Sequence, residues 1–291
     1  MMGTEERLGI YRQKVESYLK DYYAQFHDEP QKLLFEAMEY SLLSGGKRLR
    51  AALVFEFCRL CGGDWHAALP FGAAIEMIHT YSLIHDDLPC MDNDDFRRGI
   101  PTNHKVYGET VAVLAGDALL TDAFTVASGA QLPPECILEA IQILSGCAGS
   151  LGMVGGQLLD TQAEKRLLTE QEVLDIQTRK TGALIRAACA MGAVAGGANE
   201  KQYDAACQFA AGLGLAFQIR DDMLDVIGSR EEMGKNVGTD DSKNTFVRLY
   251  GIDKCESLVE KYTEYAVSAL ECFDDTGFIR ELAYKLTARM K

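Results

Sequence analysis

Apolar residues along this chain recur at helical intervals. Leu33, Leu34, Ala37, Met38 and Ser41 mark one face, and Ile137, Ile141, Leu144 and Ala148 mark another. No region shows the sustained apolar-polar alternation of a half-buried strand. Stop signals separate the periodic stretches: Ser-Gly-Gly-Lys at 44–47, Cys-Gly-Gly-Asp at 61–64, Leu-Pro-Pro-Glu at 132–135 and Ala-Gly-Gly-Ala-Asn-Glu at 195–200. The pattern predicts about ten or more helices on short loops, in one all-α domain spanning 1–291.

Two stretches are apolar almost all round: PFGAAIEMIHTYSLIHDDL, from Pro70, and CQFAAGLGLAFQIRDDMLDV, from Cys207. Helices of that kind belong in the middle of a bundle. Each carries aspartates near its C-terminal end, where the helix dipole already disfavours negative charge. Something positive has to offset them.

Composition sharpens the problem. The 291 residues carry a net charge of −14, which argues against nucleic acid or an anionic membrane as partner. An anionic substrate would need intervening cations. The nine cysteines are an odd, scattered set, as in reduced cytoplasmic proteins. Cys58 and Cys61 form a single CxxC, which reads as two small residues of a buried helix rather than half a zinc site. The opening MMGTEERLGIYRQK has no apolar signal core. The run from Ala183 to Ala198 is interrupted by Arg186 and glycines, so no stable membrane insertion is expected.

Asp221 and Asp225, in Asp221-Asp222-Met-Leu-Asp225, are four apart and share a helix face at about 6 Å. All-oxygen ligands at that spacing suit Mg²⁺ or Mn²⁺, not zinc. The plainer alternative is a solvated acidic helix end. The other cluster is Asp86, Asp87 and Asp92. Six residues of ideal helix would turn Asp92 away from Asp86, but Pro89 breaks the helix and a short loop can swing Asp92 back. An acidic surface turn is the alternative there. Two such clusters on two apolar helices favour metal, and metals could then bridge a phosphate-bearing ligand. Basic residues sit beside glycine turns nearby: Lys47 and Arg50 in GGKRLR, Arg97 and Arg98 after the first cluster, Lys180 with Thr181 in TRKTGAL, Lys235 and Lys243. Singly, each also reads as a solvated surface cation.

The Asp86–Asp92 motif with its following Arg-Arg-Gly, then FQIRDDMLD, with GGKRLR, LAGDALL, GGQLLD and KTGAL in order, resembles the trans-polyprenyl diphosphate synthase family. The bacterial-type farnesyl diphosphate synthases are the branch it is most similar to. The match covers roughly 40–250 of the 291 residues. The resemblance implies an isoprenoid-synthase helical bundle with a central cavity between two aspartate-rich helices, generally homodimeric. It implies condensation of isopentenyl diphosphate with an allylic diphosphate. It places Asp86, Asp87, Asp92, Asp221 and Asp225 around about three Mg²⁺ ions, replaceable by Mn²⁺. Arg97, Lys180 and Lys235 would neutralise the allylic diphosphate, with Thr181 and Gln218 in the same pocket. Lys47, Arg50, His79 and Arg98 match the isopentenyl diphosphate positions. Tyr81, five residues before Asp86, would floor the product channel about 7.5 Å up the axis and set a fifteen-carbon product.

Three departures from the family pattern stand out. Only Asp241 and Ser242 separate Asp240 from Lys243, a shortened loop. Phe246-Val247 replaces the usual Tyr-Pro. Arg220 stands where glutamine is frequent and is expected to add charge near the metals. The C-terminal Ala-Arg-Met-Lys could cap the isopentenyl site. A longer-chain synthase differs only at the Tyr81 argument. A non-catalytic regulatory subunit is disfavoured by two intact acidic motifs, a phosphohydrolase at His85-Asp86 by the scarcity of histidines, and a terpene cyclase by Lys47, Arg50 and Arg98.

Overall fold

Helix breakers and caps divide the chain where the pattern places them. The computed structural model describes residues 3–163, 166–233 and 244–288, without the side chains of 225 and 228–233. The first helices are α1 (Thr4–Ala24), α2 (Lys32–Leu42), α3 (Leu49–Leu60) and α4 (Leu69–Asp86). A two-residue antiparallel pair follows, β1 (Phe96–Arg97) with β2 (Ile100–Pro101). Then come α5 (Asn103–Tyr107), α6 (Glu109–Ser128), α7 (Pro134–Ala148), α8 (Met153–Ala163) and α9 (Glu170–Gln177). A π-helical turn, Thr178–Gly182, leads into α10 (Ala183–Ala195). The long α11 (Glu200–Met233), short α12 (Phe246–Tyr250), α13 (Ile252–Ser268) and α14 (Gly277–Thr287) complete the all-α architecture.

Local chemistry accounts for several boundaries. Pro70 sits in the first turn of α4, where its missing N–H costs nothing, and Pro89 lies just past the end. Thr169 and Glu172 form a reciprocal capping box at the start of α9. Arg48, at φ 51°, stops the Gly-Gly loop and begins α3.

The two all-round apolar stretches are central, as their pattern requires. α4 packs along α6 and α3, and α11 along α13 and α10. Phe55, Phe57, Phe71 and Phe209 are fully buried, with Phe57 and Phe209 rings 5.3 Å apart. Burying each such ring contributes roughly 2–3 kcal/mol. By length and composition alone Glu109–Ser128 and Pro134–Ala163 could cross a membrane. Here α6 lies against α4 and α7 against α10, the setting of bundle helices. All nine cysteines are free thiols.

Candidate active site

A cavity of about 490 Å³ opens beside the C-terminal half of α4. Arg50, His79, Asp86, Lys180 and Thr181 line it, with Tyr81, Met91, Met153, Leu158 and Leu184 as apolar walls. Six of the residues singled out in the sequence therefore share one space.

The acidic side is built by the turn after α4. The Asp92 N–H donates to the Asp86 carbonyl at 2.9 Å, so the loop folds back as Pro89 requires. Burial pushes the Asp86 carboxyl up to about 6; Lys180 and Arg97 pull it down, and Asp92 and Asp87 push it further up. Burial also raises Asp92, against Lys180. Two desolvated carboxylates with excess negative charge are hard-oxygen donors suited to Mg²⁺, and a divalent cation would relieve their repulsion. Among the described residues no three acidic, histidine or cysteine side chains converge at ligand distance. Asp221 is half-buried on α11. The Asp225 side chain, Lys235 and Lys243 lie outside the described residues, as do the last three residues of the chain.

Asp87 departs from the expected metal role. Successive helix residues point about 100° apart, so Asp86 and Asp87 cannot both face the cavity. Asp87 is buried and accepts from Arg97 Nε at 2.8 Å and Nη2 at 2.6 Å. Arg97, expected on the allylic diphosphate, is thereby held against Asp87, and its hydrogen bond there raises its pKa.

The basic side is desolvated and crowded. Burial lowers Arg50, with Arg98 adding to the shift and Glu76 opposing it, and Arg50 Nε is a buried donor with no partner. Burial, then Arg50, Arg98, Arg48 and Arg97, hold His79 well below the ordinary imidazole value. Such a cluster of mutually repelling donors fits an anion. Arg98 donates to the Gly45 carbonyl. Gly46, at φ 124°, packs so closely on the Arg98 guanidinium that a Cβ would lie 3.0 Å from Nη1. Lys47 is exposed at the end of this loop.

The π-helical turn supplies Lys180 and Thr181. Wide turns of this kind are frequent at functional sites. Gly156 of α8 lets the turn approach, since a Cβ there would fall 2.4 Å from the Lys180 nitrogen. Lys180 Nζ pairs with Asp160 Oδ2 at 2.6 Å, while Asp86 and Asp92 both feel its charge. The Thr181 hydroxyl donates to Gln218 Oε1 at 3.0 Å. Tyr81 is buried, its ring edge-on to His85 at 5.8 Å, and burial followed by Asp86 pushes its phenol up to about 12.

Four contributors went unassigned in the sequence. Asp160 is the last residue of GGQLLD, a stretch noted without a role for its acid. Asp222 was overshadowed by its neighbours. Arg48 is buried against Glu16 at 3.2 Å and Glu76 at 3.6 Å, fixing the Gly-Gly loop. His85 bonds the Val113 carbonyl at 3.1 Å and buttresses Tyr81. Arg220 corrects an expectation. Its Nε donates to the Thr287 carbonyl at 2.6 Å and its Nη2 to Glu256 at 2.9 Å, so its charge is held by α13 and α14.

The sequence matches the polyprenyl synthetase family over residues 31–271. It is 49% identical over 281 residues to a farnesyl diphosphate synthase of Geobacillus stearothermophilus, covering 95% of this chain and 94% of that one. It is 48% identical over 253 residues to a chloroplastic geranylgeranyl pyrophosphate synthase of Catharanthus roseus, covering 84% and 70%. The fold superimposes on an apo FPP/GFPP synthase of Zymomonas mobilis with TM-score 0.87 at 37% identity, covering 98% and 100%.

Proposed function

The chain belongs to the polyprenyl synthetase family, and from that premise we propose that it condenses isopentenyl diphosphate with dimethylallyl and then geranyl diphosphate. The product is (2E,6E)-farnesyl diphosphate, with diphosphate released. One observation carries the reading. A single cavity has a desolvated basic end, at Arg50 beside a neutral His79, a carboxylate end, at Asp86, and apolar walls between them.

Asp86 and Asp92, with Asp221 and Asp225 from α11, would hold the Mg²⁺ ions. When bound, these neutralise the diphosphate oxygens and favour their departure. Lys180, steadied by Asp160, brings fixed positive charge to the allylic diphosphate. Arg97 lends a partly compensated charge from its place on Asp87, and Lys235 is assigned to the same group. Arg50, Arg98 and Lys47 seat the second diphosphate, and neutral His79 donates a hydrogen bond there without adding charge. The allylic C–O bond breaks with its electron pair going to the diphosphate oxygen. The isopentenyl double bond then forms the new C–C bond, and a proton leaves to the diphosphate as the double bond re-forms. Thr181 faces the developing cation, with Gln218 hydrogen-bonded behind it. Buried Met153 and Leu184 keep water from it. Tyr81 stops chain growth at fifteen carbons.

Exposed apolar residues lie on α6, α7 and α8 and in the turn before α8: Leu114, Leu138, Leu158 and Leu151, with Leu151 79% exposed. These exposed side chains support a homodimer. Nine free thiols support a reducing cytoplasm.

Diphosphate release tests the reaction class. The expected result is release that requires Mg²⁺ and both substrates together. Release from the allylic diphosphate alone would mark a hydrolase or cyclase, and no release would mark a regulatory subunit.

A further inference from the structure

A row of hydrogen bonds runs from the cavity wall across α11. The Thr181 hydroxyl lies 3.0 Å from Gln218 Oε1, and Gln218 Nε2 lies 3.0 Å from Asp222 Oδ1. Asp222 Oδ2 accepts from the Phe246 N–H at 2.9 Å. Gln218 and Asp222 are four residues apart on one face of α11. Asp222 is 5% exposed, while Thr181 lines the cavity.

The direction of the protons is set from the far end. A backbone N–H only donates, and Asp222 accepts at both oxygens, Oδ2 from the Phe246 N–H and Oδ1 from Gln218 Nε2. Gln218 must therefore turn its NH₂ toward Asp222, which leaves its oxygen for Thr181. Thr181 has one hydroxyl proton and gives it to that oxygen. Its lone pairs, and not its proton, are then available to the cavity.

We propose that Asp222 is a positioning residue that fixes this polarity, so that oxygen lone pairs meet the positive charge growing on the allylic carbon. The proposal rests on the functional reading above. A dipole turned the right way in a water-poor site stabilises developing charge, and the same dipole reversed opposes it.

Asp222→Asn reverses the row while keeping its shape. The asparagine oxygen accepts from the Phe246 N–H and its NH₂ faces Gln218. The Gln218 amide rotates, its NH₂ turns to Thr181, and the threonine proton swings into the cavity.

The test compares kcat and KM of the unaltered protein, Asp222→Asn, Thr181→Val and the double variant. Asp222→Asn is expected to lower kcat about tenfold or more, with KM for both diphosphates within about twofold. In the Thr181→Val background the same change is expected to cost less than about twofold, because no hydroxyl remains to reverse. Additive losses, a change in KM alone, or a raised Mg²⁺ requirement would overturn the assignment. A second readout needs no turnover. In metal-free protein with ¹⁵N-labelled glutamine side chains, the Gln218 amide protons are expected to exchange slowly and to shift in Asp222→Asn; unchanged signals contradict the row. Should Asp222→Asn melt markedly lower, Gln218→Met replaces it. That variant frees the Thr181 proton and is expected to show the same kcat loss and the same cancellation with Thr181→Val; full activity overturns the proposal. No elongation by the unaltered protein defeats the functional reading and this one with it. Normal elongation with additive losses defeats only the polarity.

Discussion

Replacing Tyr81 by alanine removes a phenol ring that stands in the cavity between α4 and the apolar wall. A further prenyl unit adds five carbons. At about 0.8 kcal/mol per buried carbon, that unit would gain roughly 4 kcal/mol if it had a dry place to go. In the unaltered protein that gain is blocked by the ring, which is 5% exposed and braced edge-on by His85 at 5.8 Å. Opening the space makes part of the gain available. If partial collapse of the site consumes half, about 2 kcal/mol remains, a shift of more than tenfold in the ratio of twenty- to fifteen-carbon product. Tyr81→Phe keeps the ring and the His85 contact, so it should keep the fifteen-carbon product. The assay is mass analysis of the dephosphorylated alcohols at equal extents of reaction. Tyr81→Ala giving the same product ratio as the unaltered protein refutes the floor.

Three further outcomes follow from particular contacts. Asp160→Asn removes the partner that holds Lys180 at 2.6 Å; the lysine is expected to lean on Asp86 and Asp92 and raise the half-saturating Mg²⁺ about three- to tenfold, and an unchanged titration counts against the contact. The Asp86 carboxyl, pushed up to about 6 by burial, sits near 4 in an unfolded chain, so the metal-free fold loses stability as pH rises from about 4 to about 6. Mg²⁺ offsets that loss, so it should raise the melting temperature more at about pH 7.5 than at about pH 5, a difference that Asp86→Asn abolishes; equal shifts at both pH values contradict it. Arg48→Met leaves Glu76 buried beside a missing cation, which is expected to cost about 3 kcal/mol or more and lower the melting temperature by roughly 6 °C or more, whereas an unchanged melt would show the pair to be dispensable.

The helical pattern made α4 and α11 legible as central, because an apolar surface on every side has only one place to go. The return of Asp92 to Asp86 was legible too, since Pro89 must end the helix and a short turn is the remaining path. The split between Asp86 and Asp87 follows from the helical turn angle, yet the partner of Asp87 could not be named without knowing where Arg97 points. The π-helical turn at Thr178–Gly182 leaves no mark in a 3.6-residue periodicity, so the rotation that brings Lys180 toward Asp160 was hidden. Arg220 misled for a related reason: adjacency to Asp221 along the chain is 100° of separation around the helix, and its contacts come from residues 36 and 67 positions away.

The central claim is that this cavity builds a fifteen-carbon diphosphate with metal assistance. The most direct measurement is to incubate purified protein with isopentenyl and dimethylallyl diphosphates and Mg²⁺, remove the phosphates, and weigh the alcohols. A fifteen-carbon alcohol that disappears with chelator is the predicted result. Twenty-carbon or longer alcohols would contradict the Tyr81 floor, and no elongation by folded protein would contradict the account as a whole.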